Sequence, residues 1–146
     1  MKKYILLIML SCMSLFHAAA QETITVNNIK YYIDNGEATI AVQDETLSGD
    51  IIIPESITHE GRSYTVVRAT NGAFQNTDIT SISLPNSITS LGNNCFQYCD
   101  NLISVKLPDN ITSLGDYVFM SCSKLSSIKL PDTLTSLGEF CFEMSK

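Results

Sequence analysis

Few residues of this chain have the chemistry to break bonds, and their spacing argues against that use. Beyond the first twenty residues there is one histidine, His59, at the centre of His59-Glu60-Gly61-Arg62, a turn sequence between short strands. A nucleophile needs a base in reach, and a histidine in a solvated turn is poorly placed to serve as one. Paired carboxylates can hydrolyse glycosides. Glu55, Asp109 and Asp132, however, each follow a proline that ends a strand, and they read as turn residues. Gly92, Gly115 and Gly138 stand alone and form no phosphate-cradling loop. Cysteines 95, 99, 122 and 141 raise the question of zinc. Cys95 and Cys99 are four apart, but Cys122 and Cys141 do not repeat that pair, so a closed four-ligand site is not expected. Burial as small apolar residues accounts for them better, since Ala73 and Val118 take the Cys95 register. A Cys99–Cys122 bridge between neighbouring coils stays open in an exported protein. The expectation is therefore no catalytic residue, no metal and no cofactor.

The elements that position every side chain come from a repeat. Ile79–Asn101, Leu102–Lys124 and Leu125–Lys146 are three copies with a 23-residue period. Leu-Pro recurs at 84, 107 and 130, Thr-Ser-Leu-Gly at 89, 112 and 135, and phenylalanine at 96, 119 and 142. Such a period marks a solenoid, in which each unit buries its apolar face only against its neighbours. Gly49–Asp78 reads as an irregular first copy with an insertion over 58–64, which makes about four repeats. Within a copy, alternation sets the faces. The rows Ile82/Val105/Ile128, Leu84/Leu107/Leu130, Leu91/Leu114/Leu137 and Phe96/Phe119/Phe142 are expected inside. Proline 108 ends the first strand, Gly115 supplies a turn, and a short helical turn is expected through Cys122. Seven glycines and four prolines in so short a period leave no room for a long helix.

The outward rows are the candidate binding surface. On the first strand they are Ser81/Ser104/Ser127 and Ser83/Lys106/Lys129. The two lysines suit an anionic partner or keep an exposed sheet soluble. Tyr98, Tyr117 and Phe140, near the Phe-x-x-Cys turn, are a second set that can anchor a sugar or a protein, although partial packing over the core edge also explains them.

The ends bound where the protein works. Lys2-Lys3, the apolar run Tyr4–Phe16 and Ala18-Ala19-Ala20 have the layout of a secretory signal peptide over 1–20. Thirteen helical residues rise only ~20 Å, short of a ~30 Å hydrocarbon core, so no membrane span is expected in the mature chain. Loss of residues 1–20 removes two lysines and no acid, moving the formal charge from −6 to −8. An acidic chain without a basic patch is a poor partner for nucleic acid. About 126 residues remain, enough for a real core. Residues 21–48 have a different texture, with Asp34-Asn35-Gly36-Glu37 between β-rich runs. This is a hairpin signal, read as a β cap on the solenoid at 49–146. The chain stops at Lys146, one residue short of a period, and reads as part of a longer array with an open last coil.

The pattern L-x-x-[IV]-x-L-P-x-x-[IL]-T-S-L-G-x-x-x-F-x-x-C over 79–146 resembles the BspA-type leucine-rich repeat of bacterial surface proteins. Tyr31–Ala38 and Gly61–Val66 resemble that family's first units. The resemblance implies a right-handed leucine-rich-repeat solenoid, export, and a non-enzymatic role in adhesion at the cell surface, to a host or bacterial protein. Two other readings are a structural spacer within a longer surface protein and a glycan-binding surface protein.

Overall fold

The computed structural model describes residues 21–145, and the leader expected over 1–20 lies outside the described residues. Among the described residues, eleven strands form two sheets. They are β1 (Glu22–Val26), β2 (Ile29–Asp34), β3 (Glu37–Ile40), β4 (Ser48–Ile52), β5 (Ser56–His59), β6 (Arg62–Ala69), β7 (Asp78–Ser83), β8 (Ser90–Leu91), β9 (Ser104–Lys106), β10 (Ser113–Leu114) and β11 (Ser136–Leu137). The larger sheet runs β1-β2-β3-β6-β8-β10-β11, with β5 on β6. The smaller runs β4-β7-β9.

Three turns with left-handed residues build the N-terminal half. Asn35 and Gly36 both have positive φ and join β2 antiparallel to β3, with Asp34 opposite Glu37. This is the two-residue hairpin that Asn-Gly specifies. Glu60 and Gly61 do the same between β5 and β6, with His59 opposite Arg62. The third turn is less obvious in sequence. Asn27 and Asn28 both sit at positive φ and fold β1 back on β2. Strand β3 then pairs parallel with β6, joining the antiparallel segment to the coils. Buried Gln43 seals the junction. Its side chain accepts from the Lys30 N–H at 2.9 Å and donates to the Lys30 and Ala41 carbonyls at 3.0 and 2.7 Å.

From β6 onward the chain climbs in coils. Leu91 pairs with Leu114 and Leu114 with Leu137, while Ile82 pairs with Val105. Every partner is one repeat on. The segment expected to form a helical turn does not do so. There is no helix among the described residues. Each such segment carries two residues at positive φ, four apart: Gly72 and Asn76, Asn94 and Tyr98, Tyr117 and Ser121, Phe140 and Met144. A left-handed residue at each end stops right-handed propagation after one turn. The N–H groups between them then divide. Those of Asn94, Phe96 and Tyr98 donate to carbonyls of the next coil, at Asp116, Val118 and Met120, while those of Gln97 and Cys99 donate three residues back. Backbone donors that a helix would use internally thus tie one coil to the next.

The core is continuous along the stack. Phe74, Phe96, Phe119 and Phe142 stack at 5.3–5.4 Å between centroids and within 10° of parallel. The inward rows hold through the middle coils: Ile82, Leu84, Leu91, Val105, Leu107 and Leu114 are all buried. In the last coil two expectations need correction. Leu130 is 38% and Leu137 50% exposed, because among the described residues no later coil lies over them. Ile128 and Phe142 are half-buried, and no strand forms over 127–129. The glycines also act differently from expectation. Gly92, Gly115 and Gly138 lie outside the positive-φ set. They are needed because coils approach too closely for a side chain. A Cβ at Gly92 would collide with the Thr70–Asn71 backbone, at Gly115 with the Asn93 amide oxygen, and at Gly138 with the Gly115–Asp116 backbone.

Candidate functional site

The outer face of β4-β7-β9 carries the candidate residues in two cross-strand rows. Ser81 pairs with Ser104, and Ser83 with Lys106. Toward the N-terminus, Ser81 pairs with Asp50 and Ser83 with Ile52. Ser104, Lys106, Ser127 and Lys129 are exposed, and Ser81 and Ser83 are half-buried. Ser127 and Lys129 continue the rows in sequence but lie outside any strand. The spacing therefore brings four of the six candidates together on one sheet and leaves two on the looser last coil.

Sequence reasoning missed two members of this face. Asp50 accepts 2.7 Å hydrogen bonds from both the Thr80 and Ser81 hydroxyls, and these hold its carboxyl below the usual aspartate range. The β4–β7 register shifts between Gly49 and Asp50, so both hydroxyls fall opposite one carboxylate. That shift also hid Asp50 from a 23-residue alignment. Ile52 is 80% exposed. Its place opposite Ser83 follows from setting Ile51-Ile52-Ile53-Pro54 against the later Leu-Pro strands.

Two shallow grooves flank the lysines. One of about 200 Å³ is lined by Val105, Lys106, Leu107, Asp109, Lys129 and Pro131. The other, of about 290 Å³, is lined by Asp109, Lys129, Pro131, Asp132 and Thr133. Asp109 is tied to the preceding coil: its N–H donates to the Asn86 amide oxygen at 3.0 Å, and its carboxylate accepts from the Asn86 amide at 3.2 Å. It is a ladder residue at a groove edge.

Elsewhere the chemistry-bearing side chains are engaged structurally. The four thiols among the described residues are buried and free. Cys99 donates to the Phe74 carbonyl at 3.0 Å and Cys122 to the Phe96 carbonyl at 3.1 Å. The Ser145 hydroxyl, in the same register, donates to Phe119 O at 2.6 Å. This row is a column of short donors bonding the coil beneath, a role the apolar reading did not foresee. Burial pushes the Cys99 thiol up to about 11 and Cys122 to about 12, and it raises Cys95 and Cys141 as well. His59 lies 3.6 Å from Glu22, which links the second hairpin to the first strand. A second column runs along the edge: Asn71 accepts from Asn93 N, Asn93 from Asp116 N and Asp116 from Glu139 N, at 2.8–3.1 Å. Tyr117 and Phe140 stack at 5.5 Å. Tyr98 stands one register away, at the second left-handed position of its turn.

Comparison with known proteins agrees with this geometry. A family model described as a BspA type leucine rich repeat region of six copies matches residues 65–146. A solved leucine-rich repeat protein from Bacteroides capillosus is 32% identical, with a TM-score of 0.74, over 85% of this chain and 92% of that one. A leucine-rich repeat protein from Bacteroides ovatus is 25% identical with the same TM-score, over 84% of this chain and 33% of its own. A leucine rich cell surface protein from Faecalibacterium prausnitzii shares the fold at 24% identity and a TM-score of 0.66, over 87% of this chain and 36% of its own. No curated protein matches.

Proposed function

Because the chain belongs to the family of BspA-type leucine-rich repeat proteins, we propose that it is an exported, non-enzymatic surface module that binds a protein partner through the outer face of β4, β7 and β9. Leucine-rich repeats generally mediate protein interactions. The observation that carries the reading is the pair of rows Asp50/Ser81/Ser104 and Ile52/Ser83/Lys106. They form an array of hydroxyls, one carboxylate, one exposed isoleucine and, with Lys129, two lysines. Short hydroxyls offer both donors and acceptors to a partner's polar groups, and the exposed isoleucine adds apolar area that a partner can bury. Lys106 and Lys129 favour a partner with acidic groups at the matching positions. Export rests on the leader-like residues 1–20. The β1–β3 segment would serve as the cap on the solenoid, with the coils as the body that displays the face.

Fluorescently labelled protein applied to intact bacteria and to epithelial cells tests this. Saturable binding that unlabelled protein displaces is expected, weakened several-fold by Lys106→Glu with Lys129→Glu while the circular dichroism spectrum is unchanged. Binding that never saturates, or that ignores the charge reversal, would refute the assignment.

A further inference from the structure

A further concavity lies away from the β4-β7-β9 face. It is a cleft of about 370 Å³ on the outer side of β2, β3 and β6, lined by Gln21, Tyr32, Asp34, Asn35, Glu37, Thr39 and Arg68. The strand registers assemble it. Tyr32 pairs with Thr39 across β2–β3, and Thr39 pairs with Arg68 across β3–β6, which gives a row of ring, hydroxyl and guanidinium. Two residues along, Asp34 faces Glu37 at the Asn35-Gly36 turn. Among the described residues, these lining side chains make a single hydrogen bond with each other or with the protein, from Arg68 Nη2 to Glu37 Oε2 at 3.1 Å.

We infer that this cleft binds a neutral saccharide of one or two rings, a second recognition site beyond the protein-binding face. The volume falls in the range of small-ligand pockets. The lining interleaves acceptors (Asp34, Glu37) with donors (Arg68) and groups that do both (Asn35, Gln21, Thr39, the Tyr32 phenol). Sugar hydroxyls each donate and accept, so a ring of them matches such a mixture. The alternatives fit worse. An anionic ligand would meet two carboxylates, and a polycation would meet the arginine. Half-buried Tyr32 offers an amphipathic ring beside the polar groups, suited to the C–H face of a pyranose. The site spans the antiparallel segment and β6, and it needs nothing from the outer rows of the β4-β7-β9 sheet.

The test is an amide NMR titration of the ¹⁵N-labelled protein with maltose, cellobiose, lactose and N,N′-diacetylchitobiose, alongside spermidine and inorganic sulfate. At least one disaccharide is expected to shift the Tyr32, Asp34, Asn35, Thr39 and Arg68 signals saturably. Asp34→Asn and Arg68→Gln should each weaken that binding by about tenfold or more. Asp34 is exposed, so its variant should keep the parent spectrum. Lys106→Glu should bind the sugar unchanged, which separates this site from the protein-binding face. The inference is overturned if none of the four disaccharides shifts these signals. It is also overturned if spermidine or sulfate shifts them instead, or if Asp34→Asn binds sugar like the parent.

Discussion

Phe119→Ala is the most informative single perturbation of the stack. The ring is fully buried and lies between Phe96 at 5.3 Å and Phe142 at 5.4 Å, both near parallel. Truncating a buried phenylalanine costs about 3–5 kcal/mol, a transfer contribution plus a cavity contribution. Here two ring contacts vanish, each worth about 0.5–1.5 kcal/mol beyond area, and neighbouring coils tied by backbone bonds cannot collapse to fill the space. The value should fall in the upper part of that range. Phe142 has one ring neighbour and is half-buried, so Phe142→Ala should cost roughly half as much, about 1.5–2.5 kcal/mol. Lys106→Ala on the outer face should stay within ~0.5 kcal/mol. Urea melts followed by circular dichroism give the three values. With a slope of about 1–3 kcal/mol per molar, the two phenylalanine variants should be separated by about 1 M in midpoint. If Phe142→Ala costs as much as Phe119→Ala, or if Phe119→Ala costs no more than Lys106→Ala, the one-dimensional stacking argument fails.

Two further outcomes follow from the titratable groups. The Asp50 carboxyl should titrate below an ordinary aspartate, and Thr80→Ala with Ser81→Ala should raise its midpoint in a carboxyl NMR titration. Because the folded value is depressed, its contribution to stability is present above the unfolded aspartate range and is lost as pH falls through the folded value. The four buried thiols, with Cys99 near 11 and Cys122 near 12, should be silent to a disulfide reagent at pH 8 and react together once the chain is unfolded. Rapid labelling of the native protein would contradict their burial.

Much of this fold can be read from the sequence because a solenoid writes the same physics into each period. Leucine-proline, glycine and phenylalanine recur in phase, so the inward rows and the strand pairings follow from alternation. The Asn35-Gly36 and Glu60-Gly61 turns are legible because glycine marks them. Asn27-Asn28 is harder, since asparagine tolerates positive φ without announcing it. The helical turn misleads for a different reason. Tyr98, Tyr117 and Phe140 occupy left-handed positions that their residue types disfavour, and the close stacking of coils overrides that preference. The glycine of Thr-Ser-Leu-Gly is visible as a requirement, but its cause, the approach of one coil to the next, is tertiary. Likewise the donor role of Cys99 and Cys122 depends on a carbonyl one coil away. On the candidate face the two rows are legible from the period. Asp50 is not, because a bulge displaces it from the alignment, and the Tyr32–Arg68 cleft depends on a β3–β6 pairing between segments far apart in sequence.

Site-specific photocrosslinking on intact cells tests the central claim, that one outer face of the solenoid does the binding. A benzophenone side chain replaces Ser104 on β9 in one variant and Ser113 on β10 in another. Both positions are exposed but belong to different sheets. The account predicts a discrete adduct from position 104 that excess unlabelled protein suppresses, and none from position 113. An adduct from position 113 alone, or equal adducts from both, would contradict it.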